Sequence, residues 1–303
     1  MTVHSIVSAV DFSEQSRQAL RWAGALAAMF QSRLIVISVV DPLLAEAARI
    51  RLGRDLAKEA ELALRDFVAA TWPNGAPTAH VALKTTVGEA ATAILATASS
   101  EAVALITAGT QGLGGLRKWL LGSTTERLLR HTRVPVLAVP PDGSQSDDSN
   151  AGGTIEVSRI LAATDFSESS LAAVEYAAQL ARDFSAKLIL AHVVEPLIVP
   201  APWRSLVQES DETPSVDARN RLKSLAEELC PAQECETLAP VGRAADVIGS
   251  LAEGQQAQVV VMGLSSAQGT FAPRPGSIAY RVLTSTTVPV LVVPAPAAEK
   301  VQE

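Results

Sequence analysis

The sequence predicts a duplicated α/β fold: two tandem units, each a parallel, doubly wound sheet flanked by helices. Three observations carry that expectation. Short apolar runs alternate with stretches whose apolar residues recur at helical spacing, the pattern of β-α units joined by right-handed crossovers. The apolar residues are mostly small and aliphatic, since the chain is 48% hydrophobic but only 4% aromatic. Such residues suit strands covered by helices on both faces. Finally, landmarks of the first half return in the second at a constant offset of 154 positions.

The elements follow in order. Thr2–Val10 reads as a strand ending at Asp11-Phe12-Ser13-Glu14. Ser13 suits a helix N-cap, because its hydroxyl can accept from a first-turn N–H. Ala19, Leu20, Ala23, Leu26, Ala27 and Phe30 then follow at helical spacing. Leu34–Val40 is a second buried strand, closed by Asp41-Pro42. Glu46–Thr71 reads as one long charged helix, broken by Trp72-Pro73-Asn74-Gly75. Thr78–Lys84 is the third strand, Gly88–Ala98 a helix and Ala102–Ala108 the fourth strand. Glu126–Thr132 is a further helix and Val134–Val139 the fifth strand. Pro140–Gly153 is polar and rich in Gly, Ser and Asp, and reads as a linker. The expected units are 1–140 and 154–294, with a linker at 141–153 and a frayed tail at 295–303.

The repeat is specific. Asp11-Phe12-Ser13-Glu14 returns as Asp165-Phe166-Ser167-Glu168, Asp41-Pro42 as Glu195-Pro196, and Gly88 as Gly242. Gly109 returns as Gly263, Gly122-Ser123 as Gly276-Ser277, and Val134-Pro135-Val136-Leu137 as Val288-Pro289-Val290-Leu291. Six anchors at one offset mark an internal duplication.

Composition narrows the function classes. A net charge of −7 gives no general attraction to nucleic acid or to an anionic membrane. Cys230 and Cys235 are too few for a disulfide framework and form no zinc pattern. His4, His80, His131 and His192 show no metal-ligand spacing. No uninterrupted apolar stretch is long enough to span a bilayer, and no basic leader opens the chain. The expectation is a soluble, cytoplasmic protein.

The stretch with chemical content is Gly109–Thr125, GTQGLGGLRKWLLGSTT. It leaves a buried strand rich in glycine and re-enters a helix through Gly122-Ser123. Glycines let the backbone approach a ligand closely, and a helix start offers unpaired N–H groups to an anion. Ser123-Thr124-Thr125-Glu126 also fits a capping box, with Ser123 as N-cap and Glu126 reaching back, and that role needs no ligand.

The spacing G-x2-G-x9-G-S at Gly109, Gly112, Gly122 and Ser123 resembles the nucleotide loop of universal stress proteins. So do the first strand ending in Asp11-Phe12-Ser13 and the closing Val134-Pro135-Val136-Leu137. Both halves fit, so the chain resembles a tandem member. The resemblance implies a Rossmann-like, five-stranded parallel sheet in each half, with strand order 3-2-1-4-5. It implies ATP, alone or with Mg, as ligand. Ala9, Val10, Asp11 and Val39 would hold adenine and ribose. Gly109, Gly112, Gly122, Ser123, Thr124 and Thr125 would surround the phosphates, with Arg117 and Lys118 in the same loop. Asp165, Val193, Gly263, Gly276 and Ser277 are the second-half counterparts. The resemblance also implies packing of Val134–Val139 against Val288–Val293, a homodimer, and protein partners that the sequence does not identify.

The second half departs from the pattern. Ser266 replaces Gly112, Ile278 and Ala279 replace Thr124 and Thr125, and Phe271-Ala272 replaces Arg117-Lys118. Pro273 and Pro275 remove N–H donors from its loop. The expected function is an ATP-binding, nucleotide-sensing stress-response module with the complete site in the first half. No catalytic or metal-ligating residue is assigned, which leaves room only for slow hydrolysis or autophosphorylation at Ser123 or Thr124. Two other readings stand beside it. One is an interaction scaffold independent of nucleotide. The other is an adenylating or hydrolytic enzyme, disfavoured because the first strand ends in Asp-Phe-Ser-Glu rather than an H-x-G-H loop.

Overall fold

Apolar strands, most of them buried along nearly their whole length, build a single ten-stranded sheet. The computed structural model describes residues 3–78, 80–111, 121–141, 155–196, 213–231, 234–264 and 277–295. In the first half the order is β1 (Ser5–Val10), α1 (Glu14–Met29), β2 (Arg33–Val40), α2 (Pro42–Leu52), α3 (Leu56–Thr71), β3 (Val81–Val87), α4 (Ala90–Ser100), β4 (Leu105–Gly109), α5 (Ser123–His131) and β5 (Val136–Val139). The second half runs β6 (Arg159–Ala163), α6 (Glu168–Phe184), β7 (Lys187–Ala191), α7 (Thr213–Leu229), β8 (Cys235–Leu238), α8 (Ala244–Gly254), β9 (Val259–Leu264), α9 (Ile278–Ser285) and β10 (Val290–Pro294).

The strands lie in the order β3-β2-β1-β4-β5-β10-β9-β6-β7-β8. Each half therefore has the expected 3-2-1-4-5 order and is parallel within itself. The halves join where β5 and β10 pair antiparallel, with Leu291 opposite Leu137 and Val292 opposite Val136. That is the edge-strand packing the resemblance implies. Because this one junction is antiparallel, strands of the two halves run in opposite directions, and their carboxyl ends face opposite ways.

Period-two alternation sends side chains to two layers. Ile6, Val10, Leu34, Val36, Leu105 and Leu137 pack under α1 and α3. Val7, Ile35, Ile37, Ile106 and Val136 pack under α4 and α5. Both layers continue across the junction through Leu291 on one face and Val290 and Val292 on the other. Phe30 and Phe184, at the ends of α1 and α6, meet edge to face with centroids 6.4 Å apart.

Several expectations need correction. The long helix Glu46–Thr71 is two helices. Gly53 takes a left-handed conformation, φ 62°, and ends α2; Asp55 then accepts from Ala57 N and Lys58 N and starts α3. The third strand is Val81–Val87 rather than Thr78–Lys84. It follows its partner β2 from Leu34 to Val40, and the pairing sets its length where alternation in the sequence does not. The first turn of the last first-half helix begins at Ser123, three residues before the expected Glu126.

The helix starts show how the two halves meet one need differently. Glu89 caps α4 by accepting from Ala91 N at 3.2 Å and from Thr92 N at 2.8 Å. Arg127 on α5 pairs with it at 3.0 Å. The counterpart of Glu89 is Arg243, which makes no side-chain cap bond. Glu195, the counterpart of Asp41, instead crosses from the end of β7 to accept from Ala244 N at 3.1 Å. Arg281, the counterpart of Arg127, pairs with Asp246 one turn further along, at 2.9 Å. Both α4 and α8 thus begin beside a carboxylate, which the helix dipole favours.

Two predictions follow from these contacts. Ser8 and Thr107 are register partners on β1 and β4; both are wholly buried, and among the described residues neither hydroxyl has a hydrogen-bond partner. The repeat carries Ala162 and Val261 at the corresponding positions. A buried hydroxyl without a partner costs about 1–3 kcal/mol, so the double variant S8A/T107V is expected to raise the denaturant midpoint of unfolding. Glu89 gives the second prediction. The Thr92 hydroxyl and backbone N–H, with smaller help from Ala91 and Arg127, outweigh desolvation and hold its carboxyl down at about 2, against 4.5 ordinarily. A depressed carboxylate stabilises the fold above the unfolded value and loses that contribution as pH falls through the folded one. The stability difference between wild type and Glu89→Gln is therefore expected to shrink as pH is lowered from 4.5 to about 2, read from denaturant midpoints at each pH.

Candidate functional site

The crevice lies where the sheet reverses its winding, at the carboxyl ends of β1 and β4. These strands are direct neighbours, and their connections leave to opposite sides, the position where doubly wound sheets bind ligands. Ala9 is partly buried and Val10 fully buried near the end of β1, with Asp11 exposed just beyond. Val39, partly buried near the end of β2, completes the expected adenine-and-ribose side.

Asp11 is held by its own turn. Its Oδ1 accepts from Ser13 N at 3.0 Å and from the Ser13 hydroxyl at 2.5 Å. Among the described residues both bonds fall on Oδ1, and none falls on Oδ2. Phe12 between them takes a left-handed conformation, φ 66°. Ser13 is the N-cap of α1 and accepts from Ser16 N, as the sequence predicts. The second half repeats the turn: Asp165 accepts from Ser167 N and Oγ, and Phe166 has φ 62°. Burial pushes the Asp165 carboxyl up, but the hydrogen bonds from Ser167 and Ser170 outweigh it and leave the group below its usual value. Val193 sits partly buried, two residues past β7.

Gly109 ends β4 and is required by packing. A Cβ there would lie 2.9 Å from Gln15 Cβ, at the start of α1. At Gly263 the approach is closer still, with a Cβ 2.4 Å from the Ser169 carbonyl oxygen. Neither glycine has a φ that excludes other residues. Both are explained by a first helix pressed onto the end of the fourth strand.

The base of the loop is tied by three bonds. Thr110 N donates to the Val139 carbonyl at 2.8 Å, and Gly122 N to the Thr110 carbonyl at 2.7 Å. The Thr125 hydroxyl donates to the Gly109 carbonyl at 2.6 Å. Thr125 is buried and its proton is committed to this tie, so the geometry gives it a structural post and not the expected phosphate contact. Thr110, also buried, was not expected; its counterpart is Leu264, so the repeat offers no signal for it. Gly112, Gly276, Arg117 and Lys118 lie outside the described residues.

The capping-box reading of Ser123 is corrected. Gly122 is the N-cap of α5, without a side-chain cap bond, and the exposed Ser123 is the first helical residue. Glu126 instead pairs with Arg130 one turn along, at 2.5 Å. Among the described residues the N–H groups of Ser123 and Thr124 have no partner. The second half differs: Ser277 is itself the N-cap of α9, and its hydroxyl accepts from Tyr280 N at 3.2 Å. Among the described residues no group of three or more His, Cys, Asp and Glu could hold a metal ion. No described helix is long and apolar enough to cross a membrane.

The model of the universal stress protein family matches residues 2–140 and again residues 156–294. The chain belongs to that family. A universal stress protein of Mycolicibacterium smegmatis is 26% identical over 303 residues, covering 96% of this chain and 97% of its own length. One of Methanocaldococcus jannaschii is 33% identical over 146 residues, 46% of this chain and 84% of the relative. The solved universal stress protein of Archaeoglobus fulgidus superposes with a TM-score of 0.67 at 21% identity, covering 98% of this chain and all of that one. At that identity the likeness speaks for the fold alone, a tandem pair of Rossmann-like α/β units.

The two packed glycines yield a test. Gly263→Ala is expected to cost about 1–3 kcal/mol, as overpacking against backbone does, because the nearest atoms belong to the first turn of α6. Gly109→Ala meets a side-chain carbon at a longer distance and is expected to cost less. Thermal unfolding midpoints of the two variants provide the check.

Proposed function

We propose that the chain is an ATP-binding universal stress protein whose nucleotide site is in the first half, acting as a sensor whose bound state alters its contacts with protein partners. The observation that carries the reading is the start of α5. It is a helix N-terminus with glycine at the N-cap, no side chain among the described residues occupying the N–H groups of Ser123 and Thr124, and a base tied at the carboxyl end of β4. Such a terminus attracts phosphate through N–H donors and the helix dipole.

The remaining assignments follow. Ala9, Val10, Asp11 and Val39 take the nucleoside, with Asp11 Oδ2 as acceptor for a ribose hydroxyl. Gly109, Gly112, Gly122, Ser123 and Thr124 take the phosphates, Mg accompanying them if a cation is bound, while Thr125 holds the loop. In the second half Asp165, Val193, Gly263, Gly276 and Ser277 keep the outline, but Ser277 already caps α9. We assign no catalytic residue; any phosphoryl transfer is slow and falls on Ser123 or Thr124. The units are 1–140 and 154–294, in a cytoplasmic protein that forms a homodimer.

Calorimetric titration with ATP tests the site. Expected are one nucleotide per chain, and a loss of at least about tenfold in affinity, 1.4 kcal/mol, in both Asp11→Ala and Gly122→Val. Absence of binding at millimolar ATP, or unchanged binding in both variants, would favour the nucleotide-independent scaffold.

A further inference from the structure

Helix α2 is fixed by its ends more than by its faces. Asp41 accepts from Leu43 N at 2.8 Å and from Leu44 N at 3.2 Å, Pro42 opens the first turn, and Gly53 closes the last. Of its eleven residues only Ala48 is buried, and the helix packs on α3. Its larger apolar side chains are turned to water instead. Leu43, Leu44 and Ile50 are 81%, 63% and 68% exposed, and Ala47 is exposed beside them. At 3.6 residues per turn, Leu43, Ala47 and Ile50 form one stripe, about 130° around the helix from Ala48. Apolar stripes of this kind ordinarily face a core. Exposed apolar residues scattered singly need no explanation, but a contiguous stripe marks an interaction surface.

The rest of the molecule narrows what covers it. The apolar strands β5 and β10 already pair with each other. The two outer edges of the sheet discourage pairing, since β3 carries Lys84 and the four-residue β8 carries Glu236. The charges of α2 are Glu46, Arg49 and Arg51, which is not the basic cluster that an anionic lipid surface attracts.

Those charges suit a second copy of the same helix. Glu46 and Arg49 flank the stripe on one side and pair with each other at 2.6 Å. Let two α2 helices pack antiparallel about a twofold axis at Ala47. Leu43 then lies level with Ile50 of the partner subunit, and Glu46 with Arg49 of the partner subunit, each within about one residue rise of 1.5 Å. The twofold keeps Glu46 and Arg49 of the partner subunit on the same flank, so four charges of alternating sign line one side of the apolar contact. Ala47, at the axis, lets the helices approach closely. The pattern occurs once per chain: the second half has Pro200 and Pro202 in place of Glu46 and Ala48, and Arg204 in place of Ile50. One self-complementary patch closes a pair and does not propagate.

We propose that two copies of the chain associate through the exposed face of α2, helix against helix and antiparallel. The inference rests on the homodimer in the reading above and gives it a surface; it does not depend on nucleotide.

Sedimentation equilibrium of the full chain at micromolar concentration tests it. Expected is a wild-type dimer whose dissociation constant rises about tenfold or more in Ile50→Glu, with the thermal midpoint of the monomer unchanged because the side chain is exposed. Glu46→Arg and Arg49→Glu are each expected to weaken self-association, since each sets like charges across the axis. An equimolar mixture of the two is expected to dimerise again, a recovery that misfolded chains would not show. A dimeric wild type whose variants all stay dimeric overturns the α2 surface and leaves the homodimer standing. Variants that dissociate and fail to recover on mixing overturn the antiparallel pairing. A monomeric wild type overturns both the surface and the homodimer. If that monomer binds phosphatidylglycerol vesicles and Ile50→Glu does not, the face belongs to a lipid surface and the proposal is likewise overturned.

Discussion

The pairing of β5 with β10 is the contact on which the rest of the molecule depends. Each strand is a short apolar segment buried on both faces. Left as an edge, either would present unpaired backbone groups beside bare Leu and Val side chains, an invitation to aggregation. The ladder itself has few rungs. Its strength lies in the two apolar layers that run through it without a break, so each half completes the core of the other. The antiparallel sense of this one junction also sets the placement of function. It turns the carboxyl ends of the two parallel sheets in opposite directions, so the two crevices cannot cooperate as walls of one site.

With the scaffold shared, the halves differ in how they treat helix starts. Substitutions come in compensating groups. Where Glu89 becomes Arg243, Asp41 becomes the longer Glu195, which reaches the helix that Arg243 leaves uncapped. Where the acid partner of Arg127 is lost, Arg281 finds Asp246. A helix N-terminus needs acceptors or negative charge nearby, and a duplicated fold can supply them from different places. Against that background α5 stands out, because its N-cap is a glycine and its base is tied by Thr125.

Much of this was legible in the sequence because it repeats. The alternation of strands and helices and the Asp-Phe-Ser turn reside in positions that recur at one offset, and each has a local cause, an apolar run or an N-cap hydroxyl; the strand order and the edge pairing were implied only by the resemblance to universal stress proteins. What escaped has non-local causes. The break at Gly53 is one glycine in a helical pattern that otherwise continues. The extent of β3 is fixed by β2. Thr125 looked like a phosphate ligand because hydroxyls at helix starts often are, yet its fate was decided by a carbonyl sixteen positions away. Ser123 looked like a cap because the four-residue pattern fits, and a start one residue earlier removes it from that role.

The glycines of the loop therefore have two kinds of cause. Gly109 and Gly263 answer the same packing constraint in both halves, so their lack of a side chain is accounted for without a ligand, wherever a phosphate sits. Gly122 has backbone angles open to any residue, so what it contributes is the absence of a side chain at the helix start. In the second half the Ser277 hydroxyl accepts from one first-turn N–H, that of Tyr280, and a phosphate drawing on that N–H would have to displace it. Such a cap is worth about 0.5–2 kcal/mol, a difference of roughly two- to thirtyfold in binding. That tunes a site without abolishing it. Any larger asymmetry between the halves has to arise in the loops themselves, where Pro273 and Pro275 remove two backbone donors that the first half, with no proline between Gly109 and Gly122, retains.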